Sequence, residues 1–342
     1  MSSAAELEVG MRAQERRRQT EALKDIARKL GFCEIGIARA EPLEPEFGRY
    51  LAWLARGYHA TMAYLERNLG SRADIRMLLP NAQSVVVVAY NYFVPARYDA
   101  FEEEPQRYGK ISRYAWGDDY HEVLLPKLRT LASEIALLCP GAESRVYVDT
   151  GPVLEKAWAV RAGVGWQGKH TNIISRKYGS WLFLGVIITS AELEPDEPIQ
   201  DYCGTCTACI QACPTGAIVE PYVLDARRCL SYWTIETKPD MEIPEPIAQR
   251  MEGWLFGCDV CQEVCPWNRF QKPVDDPAFA PRRGETCLEL DALLEMSPEE
   301  FRQRFRKSPI KRPKHFGIQR NARTWKRVVS QYSACDHADR AP

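Results

Sequence analysis

The 342-residue sequence lacks any long apolar run, and this absence argues against a membrane-spanning protein. Its longest apolar stretch, residues 85–90 with their flanks, is far shorter than the roughly 20 apolar residues that a helix needs to cross a bilayer. Residues 1–19 are polar and lack the apolar core of a secretory signal. Neither charge dominates, because the formal net charge is −1, so bulk charge indicates no partner. The sequence therefore predicts a cytoplasmic globular protein that makes no membrane contact.

Cysteine, in contrast, is plentiful, with 12 residues in the chain. In a reducing cytoplasm such a number favours metal binding over disulfides. Residues 203–214 have the spacing C-x2-C-x2-C-x3-C-P, which is the ligand pattern of bacterial ferredoxins that hold two 4Fe-4S clusters. In that pattern the first three thiolates bind one cluster and the fourth binds the other.

A second cluster needs a second ligand run, and residues 258–266 repeat the C-x2-C-x3-C-P end of the pattern. The leading position of this run is Leu255, so Cys229 is the expected substitute. The result is a crossed assignment in which each cluster receives four thiolates. The first cluster takes Cys203, Cys206, Cys209 and Cys265, and the second takes Cys213, Cys229, Cys258 and Cys261. Two structural zinc sites and disulfides are the alternatives, although zinc sites usually pair two C-x2-C motifs.

The region ahead of the cysteines is large enough for a catalytic domain. Residues 146–149 are predicted to form a strand that ends in a turn, with Asp149 at its tip. The glycine-rich residues 163–170 match neither the dinucleotide nor the P-loop spacing, so we expect close backbone approach to a flat cofactor, with a nucleotide as the alternative. Because 4Fe-4S clusters move single electrons, a redox cofactor in this region is their expected destination.

We expect an α+β protein in four parts. These are a polar segment (1–19), an α/β-type catalytic domain (20–198), a ferredoxin-like domain (199–270) and a basic C-terminal segment (271–342). Residues 84–90 and 180–190 are predicted to be buried strands, and Asp119 is predicted to cap a helix that runs to about residue 138.

The C-terminal segment has an unusual charge distribution. Residues 301–330 contain eleven Lys or Arg residues and no Asp or Glu. Such a segment favours a surface for a polyanion, most often nucleic acid, and a disordered tail is the alternative. Four interleaved aromatic residues suit RNA contacts. They are Phe301, Phe305, Phe316 and Trp325.

In their order along the chain, these motifs resemble those of epoxyqueuosine reductases. The resemblance covers roughly residues 20–312 and is carried by segments 149–159, 162–169, 203–209, 213–218, 228–236 and 257–262. It implies reduction of the epoxide of epoxyqueuosine, at the wobble position of tRNA, to queuosine. It also implies cobalamin as the destination of the electrons. A corrinoid reductase of small molecules, similar to reductive dehalogenases, is the main alternative, and a bare electron-transfer protein is the other.

The resemblance implies roles for individual residues. Asp149 matches the proton donor of the family, and we expect it to be buried because burial would raise its pKa. The implied cobalamin contacts are Arg72, Ser112, Asp149, His170, Ser231, Cys258, Asp259 and Val260. His170 replaces the Asn that is common in the family, and no D-x-H-x-x-G motif follows Asp119, so we expect no histidine on the cobalt. Asp119 and His121 match a family Asp-Tyr-His run and are expected to shape the active site.

Further expectations concern partners and the C-terminus. We expect a monomer that receives electrons from a reductase, a flavodoxin or a ferredoxin, with the second cluster nearer the cobalt. Many family members continue into helical repeats after a sequence like residues 319–322. In this chain the apolar period breaks from Arg323 onward, so we expect a short helical or irregular segment without repeats.

Overall fold

The computed structural model describes residues 2–338, with side chains described for residues 8–283 and 285–331. The α-helices are α1 (Ser2–Lys29), α2 (Glu44–Ala55), α3 (Leu69–Ala73), α4 (Asp99–Glu103), α5 (Tyr120–Leu138), α6 (Glu155–Arg161), α7 (Ala208–Ala212), α8 (Glu245–Ala248), α9 (Val260–Glu263), α10 (Leu290–Glu295), α11 (Pro298–Arg304) and α12 (Lys314–Ala338). The strands are β1 (Glu34–Arg39), β2 (Ser84–Asn91), β3 (Tyr108–Ile111), β4 (Ser144–Tyr147), β5 (Trp166–Gln167), β6 (Ile173–Ile174), β7 (Leu182–Thr189), β8 (Ile218–Glu220), β9 (Val223–Leu224), β10 (Trp254–Phe256) and β11 (Cys287–Glu289). No helix within 2–338 is long and apolar enough to cross a membrane.

The main sheet is antiparallel throughout, with the strand order β1-β2-β7-β4. Every residue of β2 is buried, as its run of β-branched residues predicts for a central strand. On one face Val86 and Val88 pack with Leu23 of α1 and with the buried leucines of α5. On the other face Val85 and Val87 pack with apolar residues of α6. The predicted α+β class is confirmed.

The start of α5 is fixed by Asp119, whose side chain accepts a hydrogen bond from the backbone N–H of His121, as predicted for an N-cap. The chain between β1 and β2 does not form one continuous helix. It divides into α2, a 3-10 turn (Ala63–Glu66) and α3, because Gly57 and Asn68 both adopt left-handed backbone conformations.

A second sheet joins distant parts of the chain in the order β10-β3-β11. β3 is the central strand, parallel to β10 and antiparallel to β11. Its core combines Ile111 and Trp116 with Trp254 and Leu288, so one hydrophobic core spans the boundaries that we expected between the catalytic, ferredoxin-like and C-terminal parts.

The C-terminal segment is helical, which is one of the forms that we expected, and it is a folded part of this second core and not a disordered tail. α12 buries Ile318, Ala322, Trp325 and Val328, which lie on one face of a helix. Alanine and tryptophan at two of these positions hide the period among the charged residues of the other face. Phe301, Phe305 and Trp325 are also buried, so of the four aromatics assigned to RNA contacts only Phe316 is exposed.

The positive charge of residues 301–330 is largely neutralised by carboxylates, several of them from distant parts of the chain. Seven of the eleven basic residues form ion pairs: Arg302–Glu299, Arg304–Glu285, Lys307–Glu122, Lys311–Asp119, Arg312–Glu236, Lys326–Asp291 and Arg327–Glu245. Arg320 is buried and bonded to backbone carbonyls. Arg306, Lys314 and Arg323 have no carboxylate partner among the described residues. The exposed excess of charge is therefore smaller than the sequence predicted.

Candidate active site and cluster ligands

The four thiols assigned to the first cluster are neighbours. Cys203, Cys206 and Cys209 lie before and within α7, and Cys265 follows α9, which packs against α7. Burial, and then the nearby thiols of Cys265, Cys203 and Cys206, raise the pKa of Cys209 to about 11. The structure therefore gathers the group that we call the first thiol group.

The four thiols assigned to the second cluster also lie together, and we call them the second thiol group. Burial raises the pKa of Cys261 strongly, and the thiols of Cys229 and Cys213 add to the effect. Burial likewise raises the pKa of Cys258 well above its usual value, with contributions from Cys261 and Cys229. No three His, Cys, Asp or Glu side chains in the described part of the chain are placed to hold a single metal ion.

The glycine-rich bend contacts the first thiol group through Lys169. This side chain is 8% exposed, and its ammonium group donates to the carbonyl oxygens of Gly204 (2.7 Å) and Cys206 (2.9 Å). Its neighbour His170 is 2% exposed, and its Nδ1 accepts from the backbone N–H of Asn172 at 3.2 Å. Burial, with the nearby charge of Lys156, lowers the pKa of His170 to about 4, so the ring is neutral and carries its proton on Nε2.

Asp259 lies beside the second thiol group and is 1% exposed. Its carboxylate accepts hydrogen bonds from Ser112 Oγ (2.5 Å), the backbone N–H of Arg113 (2.6 Å) and the hydroxyl of Tyr98 (3.1 Å). Burial raises the pKa of Asp259, while these hydrogen bonds oppose the shift. The side chains of Ser112 and Asp259 therefore bind each other inside the protein.

Asp149 lies two residues beyond the end of β4, in a left-handed backbone conformation with φ of 56°. Its backbone N–H donates to Glu155 Oε1 (2.7 Å), and its Oδ2 accepts from the Tyr120 hydroxyl (2.7 Å). The Asp149 side chain is 64% exposed, so the expected burial was wrong. The strand ends at Tyr147, and the turn that follows carries the carboxylate outward.

A chain of polar side chains leads from Asp149 into the protein. His121 Nε2 lies 3.8 Å from Asp149 Oδ2, and His121 Nδ1 lies 2.7 Å from Asp119 Oδ1. Asp119 Oδ2 in turn accepts from the ammonium group of Lys311 at 3.0 Å. Burial opposes ionisation of Asp119, but the hydrogen bonds from His121 and Lys311 prevail and hold its pKa down to about 2. The site thus contains an acid, an imidazole, a carboxylate and a cation in series.

Aromatic rings hold these polar side chains in position. Tyr120 stacks on Phe183 with ring centroids 4.4 Å apart, and it also stacks on His121 at 4.1 Å. At the mouth of the site, the Arg312 guanidinium pairs with Glu236 at 2.9 Å and lies 6.0 Å from the ring centroid of Tyr64.

Two family models match this chain. Residues 72–150 match the model described as "Epoxyqueuosine reductase QueG, DUF1730", and residues 202–268 match a 4Fe-4S double cluster binding domain. An epoxyqueuosine reductase of Synechocystis sp. is 48% identical over 291 residues, covering 84% of this chain and 98% of the relative. One of Cellulophaga algicola is 43% identical and covers 89% and 97% of the two chains. The chain belongs to the epoxyqueuosine reductase family.

Solved structures of epoxyqueuosine reductases have the same fold. A selenomethionine-labelled form has a TM-score of 0.84 at 33% identity, over 93% of this chain and 83% of that one. A complex with an epoxyqueuosine-modified tRNA-Tyr stem loop has a TM-score of 0.83 at 33% identity, over 92% and 82% of the two chains. A Bacillus subtilis enzyme, solved with its catalytic Asp loop swung out of the active site, has a TM-score of 0.83 at 32% identity, over 93% and 83%.

Membership of the epoxyqueuosine reductase family implies cobalamin, and several residues fit such a cofactor. The Nε2–H of His170 is buried and has no hydrogen-bond partner among the described residues, so it is a free donor. Gly257 has φ of 69°, and a Cβ there would lie 2.5 Å from the Cβ of Ser112. The main chain just before Cys258 therefore packs closely against Ser112. Ser231 and Val260 are half-buried, and the Ser231 side chain hydrogen-bonds the thiol of Cys229. A contact from Asp259 would come from its main chain, because its carboxylate is already bonded.

The Arg72 side chain makes its described contacts with residues 50–67. It is 8% exposed, its Nε donates to the Arg67 carbonyl oxygen at 3.2 Å, and its guanidinium lies 5.8 Å from the ring centroid of Tyr50. Sequence reasoning missed Tyr120, Glu155 and Lys311 as members of the site. Tyr120 alone had a local indication, since it lies inside the Asp-Tyr-His run that drew attention to its neighbours.

Proposed function

We propose that this epoxyqueuosine reductase family member acts in the cytoplasm, as a monomer, and reduces the epoxide of epoxyqueuosine in tRNA with Asp149 as the proton donor. The observation that supports this role is the Asp149 carboxylate itself. It accepts from the Tyr120 hydroxyl and lies next to His121, on a turn that is open to a large substrate. The solved relative that holds a catalytic Asp on a loop supports the same role for Asp149.

The overall change converts an epoxide, two electrons and two protons into an alkene and water. Bound cobalamin and the clusters supply the low-potential electrons. The protein must supply the protons, because opening the ring places negative charge on the epoxide oxygen. Asp149 gives the first proton to that oxygen, and a second proton is needed before the oxygen leaves as water. His121 is placed to return protons to Asp149, because its other nitrogen is held by Asp119.

The substrate is a tRNA, as in the solved complex with a modified stem loop. Lys307, Lys311 and Arg312 bring positive charge to the Asp149 side of the protein, where each also binds a carboxylate. Arg306, Lys314 and Arg323 are exposed and available for phosphates. Replacing these three by Ala should weaken tRNA binding and flatten its salt dependence, by roughly 0.7–0.9 in log–log slope for each phosphate that is no longer neutralised. Unchanged binding would remove this surface from the tRNA site.

In the decisive experiment, the protein is first reconstituted in the absence of oxygen with iron, sulfide and cobalamin. Its turnover is then measured on tRNA that carries epoxyqueuosine. We expect queuosine, with about eight irons per chain from two 4Fe-4S clusters. Asp149→Asn should keep both cofactors and lose about 100-fold or more in turnover, the size of effect associated with a general acid.

Asp99→Asn is the matched control, because Asp99 is exposed and its ion pair is with Arg97. Loss of activity in Asp149→Asn but not in this control would support the proton donor. Near-complete activity of Asp149→Asn would remove that role. A fully loaded wild-type protein that forms no queuosine would overturn the proposed function.

A further inference from the structure

The surface around the first thiol group is rich in aromatic rings. Cys203 and Cys265 pack with Trp166, Tyr202 and Trp267 in a small hydrophobic cluster. Trp267 Nε1–H donates to the Tyr202 carbonyl oxygen at 3.2 Å, and the two ring centroids are 5.8 Å apart. Trp166 is buried, whereas Tyr202 and Trp267 are half-buried beside the ligand thiols.

Positively charged side chains lie over the rings of this surface. The Arg176 guanidinium lies 5.0 Å from the ring centroid of Tyr202, that of Arg269 lies 4.6 Å from Phe270, and the Lys272 ammonium lies 4.9 Å from Tyr178. All three cations are exposed and have no carboxylate partner in the part of the chain with described side chains. We call Arg176, Tyr202, Trp267, Arg269, Phe270 and Lys272 the basic aromatic face.

The three cations of this face differ from most of the basic residues of segment 301–330. Most basic residues of segment 301–330 are paired with carboxylates, whereas these three cations are not. Apolar area accompanies the charge, since Phe270 is 39% exposed and Val264, next to Cys265, is 38% exposed. Small interfaces with an apolar centre and complementary charge at the rim are typical of transient encounters between electron-transfer proteins.

We propose that the basic aromatic face docks a small acidic protein that carries one electron at a time. This inference rests on the proposed function, because epoxide reduction consumes two electrons per turnover. Each encounter oxidises one carrier by one electron and reduces the first cluster by one electron, so two encounters supply one turnover. The face also brings the carrier to the ligand loop of the first thiol group, where Gly204 and Thr205 are exposed.

The position of the substrate site favours a carrier over tRNA at this face. Lys156 lies within electrostatic reach of both Asp149 and Cys261, which puts the second thiol group on the substrate side. Lys311 and Arg312 surround that side as well. A tRNA whose modified base reaches Asp149 therefore lies on the side of the second thiol group, whereas the basic aromatic face lies beside the first.

The test measures how fast a reduced flavodoxin with a strongly acidic surface bleaches the visible absorbance of the clusters, in an anaerobic stopped-flow instrument. The variant Arg176→Glu/Arg269→Glu/Lys272→Glu reverses the charge of the face. The matched control is Lys29→Glu/Arg129→Glu/Arg145→Glu, which changes net charge equally at exposed cations without carboxylate partners. Photoreduced 5-deazaflavin, a small uncharged reductant, checks that each protein has intact clusters.

We expect the rate with flavodoxin to fall about 10-fold or more in the face variant at low salt, and less than about 2-fold in the control. The wild-type rate should also fall steeply with added salt, which tests the idea without any substitution. Rates with deazaflavin should agree among the three proteins. Equal flavodoxin rates in the two variants, or a salt-independent wild-type rate, would overturn the inference.

Two further outcomes distinguish this inference from tRNA binding at the same face and from failure of the proposed function. If the face variant keeps its flavodoxin rate but binds tRNA more weakly than the control, the face belongs to tRNA and the carrier proposal fails. If the wild-type protein with deazaflavin makes no queuosine, the proposed function fails, whatever the docking rates are.

Discussion

The two thiol groups differ in what holds them and in what they face. The loop of the first group is fixed by one buried cation, Lys169, and lies beside exposed residues and aromatic rings. The loops of the second group are held from within, where Asn321 Nδ2 donates to the carbonyl oxygens of Thr234 and Leu255, each at 2.8 Å. The first group therefore lies beside exposed residues, whereas the second shares the neighbour Lys156 with Asp149, the proton donor that we propose. Under the proposed function, this asymmetry gives the electron path a direction.

The strongest test of the comparison removes one ligand from the second group. Cys229→Ala should lose the second cluster, so the iron content should fall from about eight to about four per chain, and turnover should be abolished with any reductant. Cys139→Ala is the control, since Cys139 belongs to neither thiol group. Iron analysis and turnover check the prediction, and an unchanged iron content in Cys229→Ala would refute the crossed assignment.

A smaller effect should follow from removing the two Asn321 hydrogen bonds that hold the loops of the second group, which we call the clamp. Asn321→Ala leaves two buried carbonyl oxygens without their donor, which should lower the free energy of unfolding by about 1–3 kcal/mol. The spectrum of the second cluster in electron paramagnetic resonance should change, while that of the first should not. Arg323→Ala, an exposed change on the same helix, should alter neither. Equal changes in both clusters would contradict a local clamp.

The corresponding test on the first group concerns charge. Lys169→Gln removes a buried cation beside the first cluster and should lower its reduction potential by tens of millivolts, because a nearby positive charge stabilises the reduced form. Lys169→Arg keeps the charge and should restore most of the shift. A redox titration followed by electron paramagnetic resonance resolves the two clusters, and a shift confined to the second cluster would be incompatible with the structure.

The smallest effect concerns the carboxyl group of Glu155, which accepts a hydrogen bond from the backbone N–H of Asp149. Burial, and then the charge of Asp149, raise the pKa of Glu155 from its ordinary value of 4.5 to about 8. A carboxyl whose pKa rises on folding loses stabilisation as the pH increases from its unfolded value through its folded value.

Glu155→Gln should therefore gain free energy of unfolding relative to wild type between pH 5 and pH 8, by about 1 kcal/mol once solvent screening is allowed for. Chemical denaturation at the two pH values measures the gain. Glu103→Gln, at an exposed position, should show none. A gain that is independent of pH would show that Glu155 does not titrate in this range.

Local patterns in the sequence predicted the features that depend on neighbouring residues. Cysteine spacing indicated which thiols lie near one another, since cluster ligands come from short loops, and their assignment to the two clusters stays a prediction. The Asp119 cap followed from the start of its own helix. The burial of Asp149 could not be judged in this way, because it depends on where β4 stops and on the turn after it. The pairing of Lys311 with Asp119 joins residues almost 200 positions apart, so no local pattern indicated that the basic segment was neutralised.

The central place of β3 in the second sheet has a consequence for how the chain is made. Residues 108–111 leave the ribosome long before their partners at 254–256 and 287–289, so this strand has no partner strand until about 140 further residues have been synthesised. The thiols at 203–229 lie between β3 and β10 in the sequence, and those at 258–265 lie between β10 and β11. Pairing of this sheet depends on contacts of long sequence separation, so we expect it to be a slow folding step.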